Sequence, residues 1–165
     1  MDKKIAVCPG SFDPITVGHL DIIIRASRLF DSVIVTVMSN DSKKCIFSVD
    51  ERVKMINDVI VDCGLSNVSV DSSDNLLADY MKEKSATAIV KGLRAVSDFE
   101  YEFQMALTNK KLNPDIETLF LTTSVENMYL SSSMVKQIAS MGGDISSFVP
   151  IAIHDDILKR LSSSN

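Results

Sequence analysis

The 165-residue sequence contains no tryptophan, few other aromatic residues and only three cysteines. Because Cys8, Cys45 and Cys63 are odd in number, lie far apart and form no C-x-x-C pair, the sequence predicts neither a disulfide framework nor a zinc site. Long hydrophobic runs are absent too, since the apolar segment after the charged N-terminus ends at Pro9-Gly10. That segment is too short for a signal peptide or a membrane span, so we expect a cytoplasmic protein.

Positive charge is in deficit. The chain has 17 Lys and Arg residues against 22 Asp and Glu residues, which gives a formal net charge of −5. A protein that binds nucleic acid or an anionic membrane generally carries a basic face, so we expect neither partner, and a local group of cations must hold any anionic ligand. The length suits one domain over residues 1–165, with residues 162–165 as a frayed tail.

Segments typical of strands and helices alternate along the chain. Strands are predicted over residues 5–8, 32–38, 68–71, 86–90 and 118–122. Helices are predicted over residues 19–30, 48–62, 76–84, 98–112, 131–142 and 155–161. Ser48 and Glu51 are expected to form a capping box, and Asp98 to cap the fourth helix.

This alternation predicts the fold class. Apolar strands that alternate with helices form a parallel sheet covered on both faces. We therefore expect an α/β fold: a single doubly wound, Rossmann-like domain around a five-stranded parallel sheet in the common order 3-2-1-4-5.

The loop between the first strand and the first helix has the composition of a phosphate site. It reads Gly-Ser-Phe-Asp-Pro-Ile-Thr-Val-Gly-His from Gly10 to His19. A helix N-terminus offers free backbone N–H groups and the positive end of the helix dipole, and Gly18 lets an anion approach the backbone. His19 would then face a phosphate. Without this context, the same residues would be two turns and a solvated first-turn histidine.

Other polar residues follow the carboxyl ends of the predicted strands. Lys43 and Lys44 follow the second strand, Lys91 to Arg94 the fourth, and Ser131 to Ser133 the fifth. Each group has a simpler interpretation, as a solvated pair, a decorated turn or a helix cap. In a doubly wound sheet, however, ligands bind where the strand order reverses, here between strands one and four. Convergence of these groups on that point predicts a polyphosphate site.

Several of these strings resemble the phosphopantetheine adenylyltransferase family of the nucleotidyltransferase superfamily. Thr16-Val-Gly-His19 resembles the (H/T)xGH signature of the superfamily, and Gly10 to Pro14 resembles its G(S/T)FDP loop. The strings that resemble the family more narrowly are Ser42-Lys-Lys44, Gly92-Leu-Arg-Ala-Val-Ser-Asp-Phe-Glu-Tyr-Glu102 and Leu130-Ser-Ser-Ser-Met-Val-Lys136. Ser11 replaces the threonine of many members, and Lys91 replaces an arginine, which keeps the charge but loses bidentate geometry.

The resemblance implies transfer of the adenylyl group of ATP to 4′-phosphopantetheine. The products would be dephospho-coenzyme A and pyrophosphate, formed by direct in-line attack without a covalent intermediate. His19 would contact the α-phosphate, and Ser11 would position the attacking phosphate. Lys43 and Lys91 would neutralise that incoming phosphate, and Leu77 would line the pocket for the pantetheine arm. The candidate catalytic residues are His19, Lys43 and Ser11.

The resemblance also implies an ATP site, a metal and an assembly. The ATP-binding residues would be Ser11, Phe12, His19, Gly92, Leu93, Arg94, Glu102, Asn127, Met128, Tyr129, Leu130, Ser131, Ser132 and Ser133. Mg²⁺ would be coordinated by the ATP phosphates, without a dedicated set of protein ligands. The family implies a hexamer built as a dimer of trimers. Two alternatives stay open: another nucleotidyltransferase with this signature, such as a nicotinamide mononucleotide adenylyltransferase or a cytidylyltransferase, or a non-catalytic nucleotide-sensing module.

Overall fold

The computed structural model describes residues 3–39 and 44–162, and a parallel sheet forms its centre. The strands are β1 (Ile5–Gly10), β2 (Ser32–Met38), β3 (Val68–Ser73), β4 (Ala88–Leu93) and β5 (Glu117–Thr122). They lie in the order β3-β2-β1-β4-β5, and every neighbouring pair is parallel. This arrangement confirms the predicted sheet and its strand order.

Helices cover both faces of the sheet. They are α1 (Val17–Leu29), α2 (Val49–Asp62), α3 (Leu77–Glu83), α4 (Val96–Leu112), α5 (Ser132–Ser140) and α6 (Ile151–Ser162), with a short 3₁₀ turn at Val125–Asn127. Ala6 and Cys8 of β1 point into a core cluster with α1, α2, α5 and α6, whereas Val7 points into a second cluster with α3. Successive strand residues face opposite sides of a sheet, so the two clusters are the two faces of a doubly wound fold.

The pairing between β1 and β4 is short. The two strands are in register only at Ala6 with Ala88 and at Val7 with Ile89, whereas β1 pairs with β2 as far as Gly10. Proline has no backbone N–H to donate to a ladder, and Pro9 lies two residues after Val7, the last residue paired with β4. The two central strands therefore part toward their carboxyl ends. The opening lies at the point where the strand order reverses.

Three predicted strand ends were wrong at this edge of the sheet, among them the end of β3, which lies at Ser73 and not at residue 71. The strand predicted over residues 86–90 extends to Leu93, because β4 remains paired with β5 through Lys91, Gly92 and Leu93. Likewise β1 extends through Pro9 to Gly10. Polar residues, glycine and proline are typical of loops, and here they end strands beside a cavity. Lys91 and Gly92 are therefore held by the sheet and not by a loop.

Three helices begin two or more residues before their predicted starts. α1 begins at Val17, two residues earlier than expected, because Thr16 caps it. α4 begins at Val96 after Ala95, and Asp98 makes no cap hydrogen bond; its carboxylate contacts Arg94 instead. The last helix begins at Ile151 and not at residue 155. Of the helices in the described part of the chain, none is long and apolar enough to cross a membrane.

Candidate nucleotide and phosphate site

A cavity of about 540 Å³ opens where β1 and β4 separate. The ends of these strands form its floor through Cys8, Pro9 and Gly10 on one side and Lys91 and Gly92 on the other. The N-terminal turns of α1, α4 and α5 form its walls. Helix N-termini present free N–H groups and positive dipole ends, so three of them around one cavity favour a polyanionic ligand.

The first turn of α1 fixes the orientation of His19. The side chain of Thr16 accepts a hydrogen bond from the backbone N–H of His19 at 3.3 Å, and Nδ1 of His19 accepts one from the backbone N–H of Thr16 at 3.0 Å. This is a capping box in which histidine takes the place of glutamate or glutamine. Because a backbone N–H can only donate, Nδ1 must carry the lone pair and Nε2 the proton. His19 therefore offers an N–H donor at the cavity wall.

Burial and neighbouring cations keep His19 neutral. Desolvation lowers the pKa of the imidazole, and Lys91 and Arg94 lower it further, to about 4. A neutral imidazole near pH 7 donates through Nε2 and carries no charge of its own. Positive charge at the cavity therefore comes from the lysine and the arginine, and directional hydrogen bonding comes from the histidine.

The loop before α1 holds its aromatic side chain in an unfavourable backbone conformation. Phe12 has a φ of +47°, a region that bulky residues rarely adopt. Its ring is buried and contacts the His19 ring edge-on, with 5.1 Å between centroids. A Cβ atom at Gly10 would lie 3.0 Å from the Phe12 ring. Gly10 is therefore the residue that makes room for Phe12, and Phe12 buttresses His19.

In the part of the chain that the structure describes, two cations line the cavity, and both are paired with acids of α4. Nζ of Lys91 lies 3.4 Å from Oε1 of Glu102, and Nε of Arg94 lies 3.2 Å from Oδ2 of Asp98. Nη1 of Arg94 also donates to the backbone carbonyl of Leu130 at 2.8 Å. A guanidinium has five N–H donors and an ammonium three, so both retain donors for an anion. Arg94 in addition ties the end of β4 to the loop before α5.

The N-terminus of α5 faces the same cavity. Ser131 caps the helix by accepting from the N–H of Met134 at 3.1 Å. The hydroxyl of Ser132 donates to the carbonyl of Pro14 at 2.8 Å, which links α5 to the loop between β1 and α1. Both serines line the cavity, so the third helix N-terminus is held against the first.

Most of the predicted site residues come together here. The cavity is lined by Ser11, Phe12, His19, Lys91, Gly92, Arg94, Glu102, Asn127, Leu130, Ser131 and Ser132. Lys43 lies outside the described residues. The structure gathers segments that are up to about 120 residues apart in sequence, as expected at a topological switch point.

Other predicted residues do not line this cavity. Leu77 is the first residue of α3. It packs against the second core cluster, on the opposite face of the sheet from α1. Leu93 is the half-buried last residue of β4, and Ser133 is exposed on the first turn of α5. Met128 and Tyr129 are largely exposed, and the Tyr129 ring packs edge-on against Phe148. Their roles in binding stay predictions.

Several residues that hold the site in place were not predicted from the sequence. Thr16 belongs to the signature string, but its part in orienting His19 was not foreseen. Asp13 and Lys136 form an ion pair with 2.8 Å between Nζ and Oδ2, and Arg52 donates to the carbonyl of Ser11 at 2.7 Å. The signature strings contain Asp13 and Lys136, whereas nothing in the sequence around Arg52 marks it.

The donor set of the cavity is not that of a protein metal cage. In residues 3–39 and 44–162, no three His, Cys, Asp or Glu side chains are grouped to hold a metal ion. The carboxylates of Asp98 and Glu102 contact cations. Cys8, which also lines the cavity, is buried, and burial raises the pKa of its thiol to about 12, so it is protonated and a poor nucleophile.

Comparison with known proteins places the chain in a family. A doubly wound sheet with a cavity at its switch point is typical of nucleotide-binding enzymes, and a family model described as cytidylyltransferase-like matches residues 7–138. A phosphopantetheine adenylyltransferase of Clostridium tetani is 59% identical, over 95% of this chain and 97% of its own length. One from Caldanaerobacter subterraneus subsp. tengcongensis is 52% identical, over 98% and 99% respectively.

Solved structures share the fold at low sequence identity. The nicotinic acid mononucleotide adenylyltransferase of Plasmodium falciparum superposes with a TM-score of 0.70 at 16% identity, covering 99% of this chain and 97% of that one. A bifunctional NMN adenylyltransferase/ADP ribose pyrophosphatase of Francisella tularensis gives 0.73 at 19% identity, over 96% of this chain and 49% of its own. The chain belongs to the cytidylyltransferase-like family and, within it, to the phosphopantetheine adenylyltransferases.

Proposed function

We propose that this protein transfers the adenylyl group of ATP to the phosphate of 4′-phosphopantetheine and releases pyrophosphate. The observation that carries the proposal is the grouping of a neutral histidine donor, two cations and three helix N-termini around one cavity. The names of relatives at 51–59% identity over nearly the whole chain supply the substrates. This reaction is a step of coenzyme A biosynthesis, and the protein would carry it out in the cytoplasm.

His19 would stabilise the developing charge. The acceptor phosphate is already a nucleophile, so the protein has to align two anions and stabilise charge as the leaving pyrophosphate departs. The proton on Nε2 of His19, fixed there by Thr16, would be donated as a hydrogen bond to an oxygen of the α-phosphate. No residue then has to form a bond to phosphorus. Direct in-line attack without a covalent intermediate is the mechanism that this set of groups supports.

The cations divide between the two substrates. Lys91, in the second half of β4, lines the same cavity as Ser11, and together with Lys43 it would neutralise the incoming phosphate. Arg94 is bonded to the carbonyl of Leu130, next to the cap of α5. Arg94 and the N-terminus of α5 would therefore hold the β- and γ-phosphates of ATP. Leu77 would line the pantetheine pocket by family resemblance alone.

Magnesium would enter with ATP. The carboxylates of Asp98 and Glu102 are already paired with cations. The cavity therefore fits a metal that keeps its own water and phosphate ligands, as Mg²⁺ does when it binds nucleotides. When bound, such an ion would neutralise part of the triphosphate charge. The residues of this chain would contact the phosphates, and the phosphates would coordinate the metal.

The assembly is a homohexamer in this proposal. Of the 17 residues in α4, all of them described, only Asn109 is buried. Large apolar side chains of this helix are exposed, among them Phe99, Phe103 and Leu107. An extended apolar surface on one helix favours association between copies. The family resemblance supplies the dimer-of-trimers arrangement.

Acceptor-dependent pyrophosphate release tests the proposed activity. The protein is incubated with Mg²⁺, with ATP or CTP, and with 4′-phosphopantetheine or nicotinamide mononucleotide, and pyrophosphate and product mass are measured. We expect product only from ATP with phosphopantetheine, because a pocket shaped to one base leaves buried polar groups unpaired with another. Product from nicotinamide mononucleotide alone, or nucleotide binding without any product, would contradict the proposal.

A further inference from the structure

A buried ion pair lies behind the cavity, outside the set of groups that would touch the substrates. Asp13, in the loop between β1 and α1, is only 4% exposed. Its carboxylate accepts from Nζ of Lys136 on α5 at 2.8 Å and from the backbone N–H groups of Ile46 and Phe47 at 3.0 and 2.9 Å. One carboxylate therefore joins three segments: the loop, the chain before α2, and α5.

The carboxylate is charged in spite of its burial. Desolvation opposes the charged form of Asp13, but the hydrogen bonds from Lys136, Phe47 and Ile46 outweigh it and hold the pKa of the carboxyl below its ordinary value. Lys136 is itself mostly buried, with 22% of its side chain exposed. Replacing a buried ion pair by apolar residues often leaves a protein equally stable or more stable, so stability alone gives a weak reason for this pair.

Other contacts already hold these segments together. The hydroxyl of Ser132 donates to the carbonyl of Pro14. Arg52 of α2 donates through Nη1 to the carbonyl of Ser11 and through Nε to the carbonyl of Phe47, the latter at 3.0 Å. The fold therefore does not depend on Lys136 to close the loop against its neighbours. What Lys136 adds is a charged, directional contact between the loop and α5.

The two elements that this pair joins carry groups for different phosphates of the reaction. The loop that contains Asp13 begins with Ser11 and leads into the capping box of His19. α5 begins at the serines expected to hold the outer phosphates of ATP. Reacting groups must be aligned closely, since a displacement of about 1 Å can reduce the rate by about 100-fold. The distance between the loop and α5 therefore matters more for the rate than for binding of either substrate.

We propose that Lys136 is a positioning residue, which sets α5 and its phosphate-binding serines against the loop of Ser11 and His19 through its ion pair with Asp13. The proposal rests on the adenylyl transfer proposed above. Lys136 acts through Asp13 and not by contact with a substrate. Loss of the pair lets the loop and α5 shift relative to each other, so the rate of transfer falls while both substrates still bind.

Three variants test this role. Lys136→Met keeps the aliphatic stem and removes the charge. Asp13→Asn combined with Lys136→Met removes both charges, so that no unpaired charge remains buried. Lys54→Met is the control, because Lys54 pairs with Asp58 at the exposed surface of α2. For each protein we measure kcat, the KM for each substrate, the Kd for ATP by calorimetry and the Tm.

We expect kcat to fall about tenfold or more in Lys136→Met and in the double variant, with the Kd for ATP within about threefold of the wild type. Exchange of the backbone amides of Ile46 and Phe47 should accelerate in both variants, and Lys54→Met should behave as the wild type. A kcat that stays near the wild-type value in a folded Lys136→Met variant, or that returns to it in the double variant, would overturn the proposal. An inactive wild type would instead refute the adenylyl transfer itself.

Discussion

The backbone N–H of Thr16 donates to Nδ1 of His19 at 3.0 Å, so the residue that caps α1 also fixes the tautomer of the histidine. The capping box between these two residues satisfies backbone N–H groups at the start of the helix. It also occupies Nδ1 of the ring, so that Nε2–H is the ring donor that faces the cavity. The His19 side chain therefore serves both the cap of α1 and the hydrogen bonding at the cavity.

Replacing His19 should separate these two roles. We expect His19→Ala to lower kcat by about 100-fold or more, about 3 kcal/mol, with a small effect on ATP affinity, because a donor aimed at developing charge acts mainly in the transition state. His19→Gln is the matched variant, since glutamine at this position can complete a capping box. Steady-state kinetics and thermal unfolding of both variants check the prediction.

For these variants, stability and rate should not change together. His19→Gln is expected to keep the Tm near the wild-type value while kcat falls, whereas His19→Ala should lose both. Near-normal turnover in His19→Ala, with a lower Tm as its only defect, would mean that this histidine is a helix cap and nothing more.

The ring of His19 should titrate far below the usual histidine range. Its pKa in the folded protein is lowered to about 4 by burial and by Lys91 and Arg94, whereas the unfolded chain has a value near 6.5. NMR of the imidazole carbon-bound protons, in a His154→Gln background that leaves one histidine, measures the value directly. A midpoint near pH 6.5 would contradict the proposed neutral donor.

The same shift predicts how stability depends on pH. Between about pH 6.5 and about pH 4 the unfolded chain binds a proton at His19 that the folded protein does not, so stability falls as the pH is lowered through this window. Urea unfolding of the His154→Gln protein, with and without His19→Gln, isolates this contribution. Its slope should be smaller when His19 is replaced; equal slopes would exclude the contribution.

Much of the fold could be predicted because its signals are local. Runs of β-branched residues such as Ser32–Met38 indicated strands, and the alternation of apolar strands with helices predicted parallel pairing. The placement of His19 at the cavity could be predicted because this residue lies at the start of a helix that follows a strand. The end of β4 was missed because Lys91 and Gly92 are uncommon in strand interiors, and only their pairing with β5 places them there.

The contacts behind the site could not be predicted, because they join residues far apart in sequence. Lys136 lies 123 residues from Asp13, and Arg52 lies 41 residues from Ser11. A charged residue on a helix has the same local pattern whether it faces water or a buried carboxylate. For Leu77, the side chain's direction depends on how α3 packs against the sheet, and helix periodicity alone did not fix it.

Cation variants should distinguish the two halves of the site. We expect Lys91→Ala to raise chiefly the KM for the acceptor and Arg94→Ala to raise chiefly the KM for ATP, because Arg94 is bonded beside the start of α5. Arg94→Lys should recover little, since a lysine cannot contact Asp98 and Leu130 together in the same geometry. Kinetics with each substrate varied in turn decide the matter, with Lys54→Ala as the control. Equal damage to both substrates by both alanine variants would leave only a diffuse basic patch.

The exposed apolar side chains of α4 should carry the assembly. The wild type is expected to sediment near six times 18.1 kDa, and Leu107→Asp should dissociate it, because a buried unpaired charge opposes association. Val61→Asp is the control, since Val61 is an exposed apolar residue of α2. Analytical ultracentrifugation at micromolar concentration gives both masses. A monomeric wild type, or a Leu107→Asp variant that stays hexameric, would refute this assignment.

The most direct test of the central claim follows the configuration of the transferred phosphorus. ATP with one α-phosphate oxygen replaced by sulfur in a single configuration is supplied with 4′-phosphopantetheine and Mg²⁺, and the product is analysed by ³¹P NMR. Direct transfer predicts an adenylylated phosphopantetheine with inverted configuration at phosphorus, because one in-line displacement inverts the centre. Retention would require a covalent enzyme intermediate, and either that result or the absence of any adenylylated product would contradict the account.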